Sequence, residues 1–241
     1  MATTVDLPHA LRGLLPDPLG AQLAPRARLV MLRPGQIVIG HQDRTRDVFV
    51  VVEGRLRVEL VSLNGREVIL AEVGPGEITG EFAALDDQPR SASVGAITAC
   101  TLIAIPGDAF VRCALGDPGS AWWLTQRLVR QIRLLNERNF ELNALAVRNR
   151  LHCELLRLCI DAGIADNGAV IAPAPTHAHL ASRIGTHREA VTREMQYLQK
   201  QGIVRQQGRA MTIADVARLA EIVRAASGDV GVVQRAGLGP S

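Results

Sequence analysis

Between residues 28 and 105 the chain breaks into short apolar runs with a period of two, and this patterning narrows the choice of fold sharply. Segments 28–32, 36–39, 47–52, 54–61 and 68–73 are rich in valine and isoleucine, and 93–97 and 100–105 continue the series. Gly35, Gly40, Gly54, Gly65, Gly74 and Gly76 punctuate them. Such runs are too short for ordinary helices, and β-branched side chains favour extended backbone. Asn64-Gly65 predicts a type I′ hairpin turn. Many short strands joined by tight glycine turns imply a small antiparallel barrel or roll. Ahead of it, residues 1–28 read as a helical lead-in broken by Pro16, Pro18 and Pro25.

Beyond Asp117 the period changes. No proline or glycine occurs from Ser120 to Asn149, which predicts roughly 45 Å of continuous helix. Leu128, Ile132, Leu135, Asn139 and Leu142 step along it by four and three, the spacing of a coiled-coil seam. Arg130, Arg133, Glu137, Arg138 and Glu141 flank that stripe, so the helix reads as exposed rather than as a core helix. Asn139 at a seam position would fix a parallel dimer in one register. A homodimer through residues 120–149 is the expectation.

From Leu151 an amphipathic helix begins, stopped by Gly163 and Gly168, and a short strand follows at 170–173. Thr176 then reads as the N-cap of one helix, Gly185 as a turn and Thr186 as the N-cap of a second helix. Residues 203–206 and 210–213 form a hairpin about Gln207-Gly208, and a last helix spans about 215–226. The glycine-rich tail after Ser227 reads as loose. Helix, glycine turn, helix and hairpin make a winged helix-turn-helix. The fold class is therefore α+β, with a β-roll at 1–118, a dimerisation helix at 119–149, a DNA-binding domain at 150–229 and a flexible tail at 230–241.

Two stretches carry chemistry. In residues 80–92, Gly80 and the carboxylate of Glu81 precede a short helix start at Phe82, whose free N–H groups can face an anion. Arg90 and Ser91 follow it, and an arginine fork suits a phosphate. Glu81 would repel phosphate, so its task is another, such as accepting from a sugar hydroxyl. The stretch suits a small phosphorylated sugar. In the second helix of the helix-turn-helix, Thr186, His187, Arg188, Glu189, Thr192 and Arg193 face outward, while Ala190, Val191 and Met195 face the core. Arg183, Arg188, Arg193, Lys200, Arg205 and Arg209 outnumber the acids Glu189 and Glu194 there. Arginine can take guanine O6 and N7 together, and glutamate can accept from cytosine N4, so Glu189 in a basic face suits base reading.

Composition excludes several other classes. A net charge of +3 over 241 residues permits nucleic-acid binding without demanding it. No apolar run approaches the roughly 18 residues that span a bilayer, and the N-terminus lacks a signal-peptide pattern, which implies a cytoplasmic protein without membrane association. Cys100, Cys113, Cys153 and Cys159 are scattered and read as buried thiols. His177 and His179 point apart on a helix, so no metal site is expected. A cupin-like metal enzyme would need a His-x-His and a glutamate clustered inside the barrel, and that set is missing.

From about Leu29 to Leu219 the chain resembles the bacterial catabolite activator protein family of cyclic-nucleotide-sensing transcription regulators. Residues 80–92 match the family's phosphate-binding cassette. The resemblance implies a cyclic-nucleotide-binding roll, with cAMP as the foremost effector. Glu81 would bind the ribose 2′-hydroxyl, and Arg90 with Ser91 the cyclic phosphate, helped by N–H groups near Gly80 and Phe82. Arg188, Glu189 and Arg193 fall on the family's base-reading positions, which implies a near-palindrome of half-sites similar to TGTGA. His177 is counted with them as an expected DNA contact, RNA polymerase is the expected protein partner, and no enzymatic activity is expected. Iron–sulfur relatives use N-terminal cysteines, and none precedes Cys100 here. There is one departure: the family's purine-contacting threonine and serine fall at Leu135 and Asn136. Leucine cannot hydrogen-bond a base, whereas Asn136 can donate to guanine O6 or accept from adenine N6. The effector thus stays open among cAMP, cGMP, cyclic di-GMP and another effector such as haem.

Overall fold

The structure is a computed structural model that describes residues 7–65, 67–228 and 231–237. The chain divides into two compact units, Met1–Arg130 and Gln131–Ser241. Among the described residues no helix is long and apolar enough to cross a membrane.

The first unit opens with helices α1 (Leu7–Leu14) and α2 (Asp17–Leu23). Strands β1 (Arg28–Leu32), β2 (Ile37–Ile39), β3 (Val48–Glu53), β4 (Leu56–Val61), β5 (Glu67–Val73) and β6 (Ile78–Thr79) follow. Helix α3 (Glu81–Asp86) separates them from β7 (Ser93–Ala96) and β8 (Cys100–Ile105), after which come α4 (Gly107–Gly116) and the start of α5 (Pro118–Ala144). The strands form two antiparallel sheets, in orders β1-β8-β3-β6 and β2-β7-β4-β5. Strand β3 buries both faces, which explains its unbroken valine run. Phe49 and Val51 join Ile39, Leu56, Val94 and Leu102 in a core drawn from both sheets. Val48 and Val50 point the other way, into a second core with Leu11, Leu19, Phe110 and Leu124 from the helices.

The antiparallel roll agrees with the period-two reading, while four local details differ. The β4–β5 loop is not a type I′ turn: Gly65 N–H donates to Ser62 O at 2.8 Å, and Gly65 (φ 76°), not Asn64, occupies the left-handed region. A type I turn closed by a left-handed glycine fits a loop longer than two residues. Strand β6 is too short to show a period, and α4 was masked by its glycine termini. Leu128, placed on the exposed seam by spacing, is half-buried against the first unit's helical core, because α5 begins as a packing helix there.

In the second unit, the rest of α5 leads to α6 (Val147–Ala162), β9 (Ala169–Ile171), α7 (His177–Ile184), α8 (Arg188–Lys200), β10 (Val204–Gln207), β11 (Ala210–Ile213), α9 (Val216–Ser227) and α10 (Gly231–Arg235). The three strands pair in the order β10-β11-β9. The expected single helix to Asn149 is broken at Ala146, whose backbone is extended (φ −60°, ψ 152°). No proline or glycine marks this break. Leu145 is buried in the unit's core there, and Arg150 Nη1 donates to the otherwise open carbonyl of Leu142 at 3.1 Å.

The tail after Ser227 also departs from expectation. Residues 231–235 form a helix, and Val232 and Val233 are fully buried in the core of this unit. Two adjacent valines carry the segment into that core, which glycine content alone concealed.

Candidate functional site

In the first unit, residues 80–91 wrap against the loop from Gly40 to Asp47. Gly80 precedes α3 in the left-handed region (φ 87°), and a Cβ there would lie 2.8 Å from both Arg90 Nη1 and Asp47 O. Only glycine meets both demands. Arg90 is 2% exposed. Its Nη1 donates to Gly80 O at 2.7 Å, Nη2 to Asp47 O at 2.8 Å and Nε to Thr45 Oγ1 at 3.0 Å. Its backbone is fixed as well: Arg90 N–H donates to Asp43 O at 2.9 Å, and Gln42 N–H donates to Arg90 O at 2.9 Å. Three of the five guanidinium N–H groups are thus committed to neutral acceptors, and two remain for an anion. Burial lowers the guanidinium's pKa, against the pull of Asp47, Asp43 and Glu81.

Glu81 is 4% exposed. Burial raises its carboxyl pKa above the ordinary value, opposed by Arg127, by its own N–H and by Arg90. Arg127 on α5 anchors through Nη2 to Ile78 O at 2.5 Å and turns its Nε to within 3.9 Å of Glu81 Oε1. That Nε is buried and makes no hydrogen bond. The pair leaves a carboxylate able to accept from a hydroxyl and a guanidinium able to hold it ionised. Phe82 is 37% exposed, and Ser91 is exposed beside Arg90 in the chain. Gly80, Glu81, Phe82, Arg90 and Ser91 are therefore assembled in one unit. Leu135 and Asn136 belong to the other unit, where both are exposed on α5. Thr45, Asp47 and Arg127 carry no sequence signal; they enter by folding.

In the second unit, Thr176 Oγ1 accepts from His179 N–H at 3.1 Å and caps α7, while Gly185 (φ 66°) ends it. The N-cap of α8 is His187, not Thr186. Thr186 N–H donates to Ala181 O at 3.0 Å, so this residue closes α7 instead. Leu180, Ala181, Ile184, Val191, Met195 and Leu198 pack the two helices into one core, with Ala190 half-buried. His187, Arg188, Glu189 and Arg193 are exposed on the N-terminal half of α8.

Two expected DNA contacts are engaged within the protein. Thr192 Oγ1 donates to Arg188 O at 3.0 Å and lies 2.8 Å from His177 Nδ1, which ties α7 to α8. Arg183 is also withdrawn from the basic face: its Nε lies 2.5 Å from the buried Glu154 carboxylate. Glu194 turns inward to His152 Nε2 at 2.8 Å. What remains exposed is the basic set Arg188, Arg193, Lys200, Arg205 and Arg209, with Glu189 beside Arg188 in the chain.

Residues 29–117 match the cyclic nucleotide-binding domain, and residues 149–222 the Crp-like helix-turn-helix domain. A protein named cyclic AMP receptor protein from Thermus thermophilus is 31% identical over 191 residues, covering 78% of this chain and 84% of that protein. The chain belongs to the CRP family of transcription regulators. A CRP-like cAMP-activated global transcriptional regulator from Mycobacterium tuberculosis is 25% identical over 214 residues, covering 88% of this chain and 95% of that protein. A crystal structure of a CRP/FNR-family transcriptional regulator from Thermus thermophilus superposes with a TM-score of 0.67 at 26% identity, covering 83% of this chain and 100% of the other. The domains and relatives are those of regulators and not of enzymes. The antiparallel roll and the helix-turn-helix agree with the α+β fold that the sequence pattern implied.

Proposed function

We propose that this CRP-family regulator acts as a homodimer switched by a cyclic mononucleotide, cAMP foremost, and so switched binds a palindromic site of TGTGA-like half-sites. The observation that carries the reading is the pairing of a buried guanidinium with two uncommitted N–H groups and a buried carboxylate on one short segment. Arg90 and Ser91 take the cyclic phosphate, with N–H groups at Gly80 and Phe82, and Glu81 accepts from the ribose 2′-hydroxyl. One relative named as cAMP-activated and another named cyclic AMP receptor protein support cAMP as the effector. Leu135 and Asn136 favour keeping cGMP as a second reading, because Asn136 serves either purine. Cyclic di-GMP is tested beside them.

Dimerisation uses residues 120–149. Val129, Ile132, Leu135 and Leu142 are 44%, 56%, 50% and 50% exposed along α5, a stripe that would lose contact with water on pairing. On DNA, Arg188, Glu189 and Arg193 read base edges in the major groove, and His187 and Thr186 lie at the start of the reading helix. His177 and Thr192 act as its braces. RNA polymerase is the protein partner this role requires. Ligand must favour the DNA-competent state by its difference in affinity between states. Calorimetry of cAMP, cGMP and cyclic di-GMP against the full chain, with and without operator-like DNA, tests the whole reading. Reciprocal enhancement of nucleotide and DNA affinity is the expected result, and independent binding overturns it.

A further inference from the structure

Ionised side chains of α5, α6 and α7 meet inside the second unit. Glu154 on α6 is fully buried. Arg138 Nη1 reaches its carboxylate at 2.8 Å, Arg157 Nη1 at 3.2 Å and Arg183 Nε at 2.5 Å. The other arm of Arg157 pairs with Glu141, also buried. Arg150, from the first turn of α6, differs from these: among the described residues it has no carboxylate partner. Its Nη1 is held by Leu142 O, and its Nε is buried without a hydrogen bond.

A cavity of about 20 Å³ lies beside it, lined by Arg138, Glu141, Leu142, Arg150, Arg183 and Ile184. The one carboxylate in that lining is already engaged by Arg157, so guanidinium charge dominates the wall. Arg138 reflects this: burial, together with repulsion from Arg157 and Arg183, lowers its pKa against the pull of Glu154 and Glu141. A buried donor without an acceptor is costly, and a site of this size holds one water or one monatomic ion. Water would supply an acceptor and leave the charge unanswered. An anion answers both.

We propose that this cavity binds a single halide-sized inorganic anion, held by Arg150 with Arg138 and Arg183 at the junction of α5, α6 and α7. The volume excludes phosphate and carboxylate ligands. Leu142 and Ile184 supply apolar wall, which suits a weakly hydrated halide, as does the weak hydration of guanidinium itself. Bound there, the anion joins the first helix of the helix-turn-helix to the end of α5. The inference is independent of the nucleotide reading.

Bromide is the probe. The full chain is melted over a bromide series balanced with gluconate at constant ionic strength, beside Arg150→Gln. Ten times its Kd should raise the second unit's transition by about 3–6 °C and saturate, and the variant should lose that saturable rise. Crystals of the unaltered chain grown in bromide should show an anomalous peak in the cavity. An unsaturable response, an equal response in Arg150→Gln, or a cavity without an anomalous peak overturns the proposal.

Discussion

Arg90 Nη1 donates to the carbonyl of Gly80 at 2.7 Å, so the guanidinium proposed for phosphate also closes the segment that holds it. Together with its bonds to Asp47 O and Thr45, this gives Arg90 a structural task besides a binding one. Arg90→Ala would leave buried acceptors unmet. It should weaken nucleotide binding by more than about 100-fold and cost the first unit about 2–4 kcal/mol. Calorimetry and thermal melting of the same preparation separate the two effects. Unchanged nucleotide affinity would sink the pocket assignment.

Glu81 predicts a trade between stability and binding. Its folded pKa is raised by burial, so its contribution to stability is complete below the unfolded value of 4.5 and is lost as pH rises through the folded value. At neutral pH the buried charge therefore costs the empty protein. Glu81→Gln should melt higher than the parent at pH 7, with the gap closing toward pH 4, while binding nucleotide about 10–100-fold more weakly. A variant that melts lower at pH 7 would show that the Arg127 attraction outweighs burial.

Arg188 and Arg193 are exposed on the same half of α8 as Glu189, and none of the three is in the buried core of the unit. Arg188→Ala should relax preference at one base position by about 1–3 kcal/mol and leave the fold unchanged. Binding assays against sites varied one base at a time provide the measurement. Uniform weakening across all of them would reassign Arg188 to a phosphate contact.

How much of this was legible follows from the range of each interaction. The roll was legible because short β-branched runs between glycines favour extended backbone, whether buried on both faces as in β3 or alternately as in β7, and Gly185 marked its turn because a left-handed backbone favours glycine. Glu81 and Arg90 stood out because a carboxylate and a guanidinium flank one short helix start, a pattern that suits a phosphorylated sugar. Thr45 and Asp47 did not, since one contributes a hydroxyl and the other only a backbone carbonyl, brought in from more than 40 positions away. The break at Ala146 was equally silent, because Leu145 burial and a long-range arginine end α5 without glycine or proline. Arg183 illustrates the general limit: composition counts it in a basic face, and only packing shows it facing Glu154.

His152 gives the second unit an acid-side weakness. Burial lowers its pKa in spite of the Glu194 carboxylate, and its Nδ1 is buried without a hydrogen bond. A histidine with a depressed folded pKa contributes stability above the unfolded value of 6.5, and that stability is lost as pH falls through the folded value. The second unit's melting temperature should fall on acidification from about pH 6.5, and His152→Gln should flatten that slope while still donating to Glu194. An unaltered slope would place the sensitive group elsewhere.

The docked C-terminal helix allows two contributions to be ranked. Val232 and Val233 are fully buried, which amounts to about 1.5–3 kcal/mol each. Arg235 grips Glu137 with two bonds of 2.8 Å, yet these side chains are 39% and 23% exposed, so the pair is worth no more than about 1 kcal/mol. A chain ended at Ser227 should therefore lose several degrees from the second unit's transition, and Arg235→Ala only a small part of that. Raised salt should reduce the Arg235 effect and leave the truncation effect in place, since screening acts on charges and not on apolar burial. If Arg235→Ala falls as far as the truncated chain, the ion pair and not the valines holds α10, and the ranking reverses.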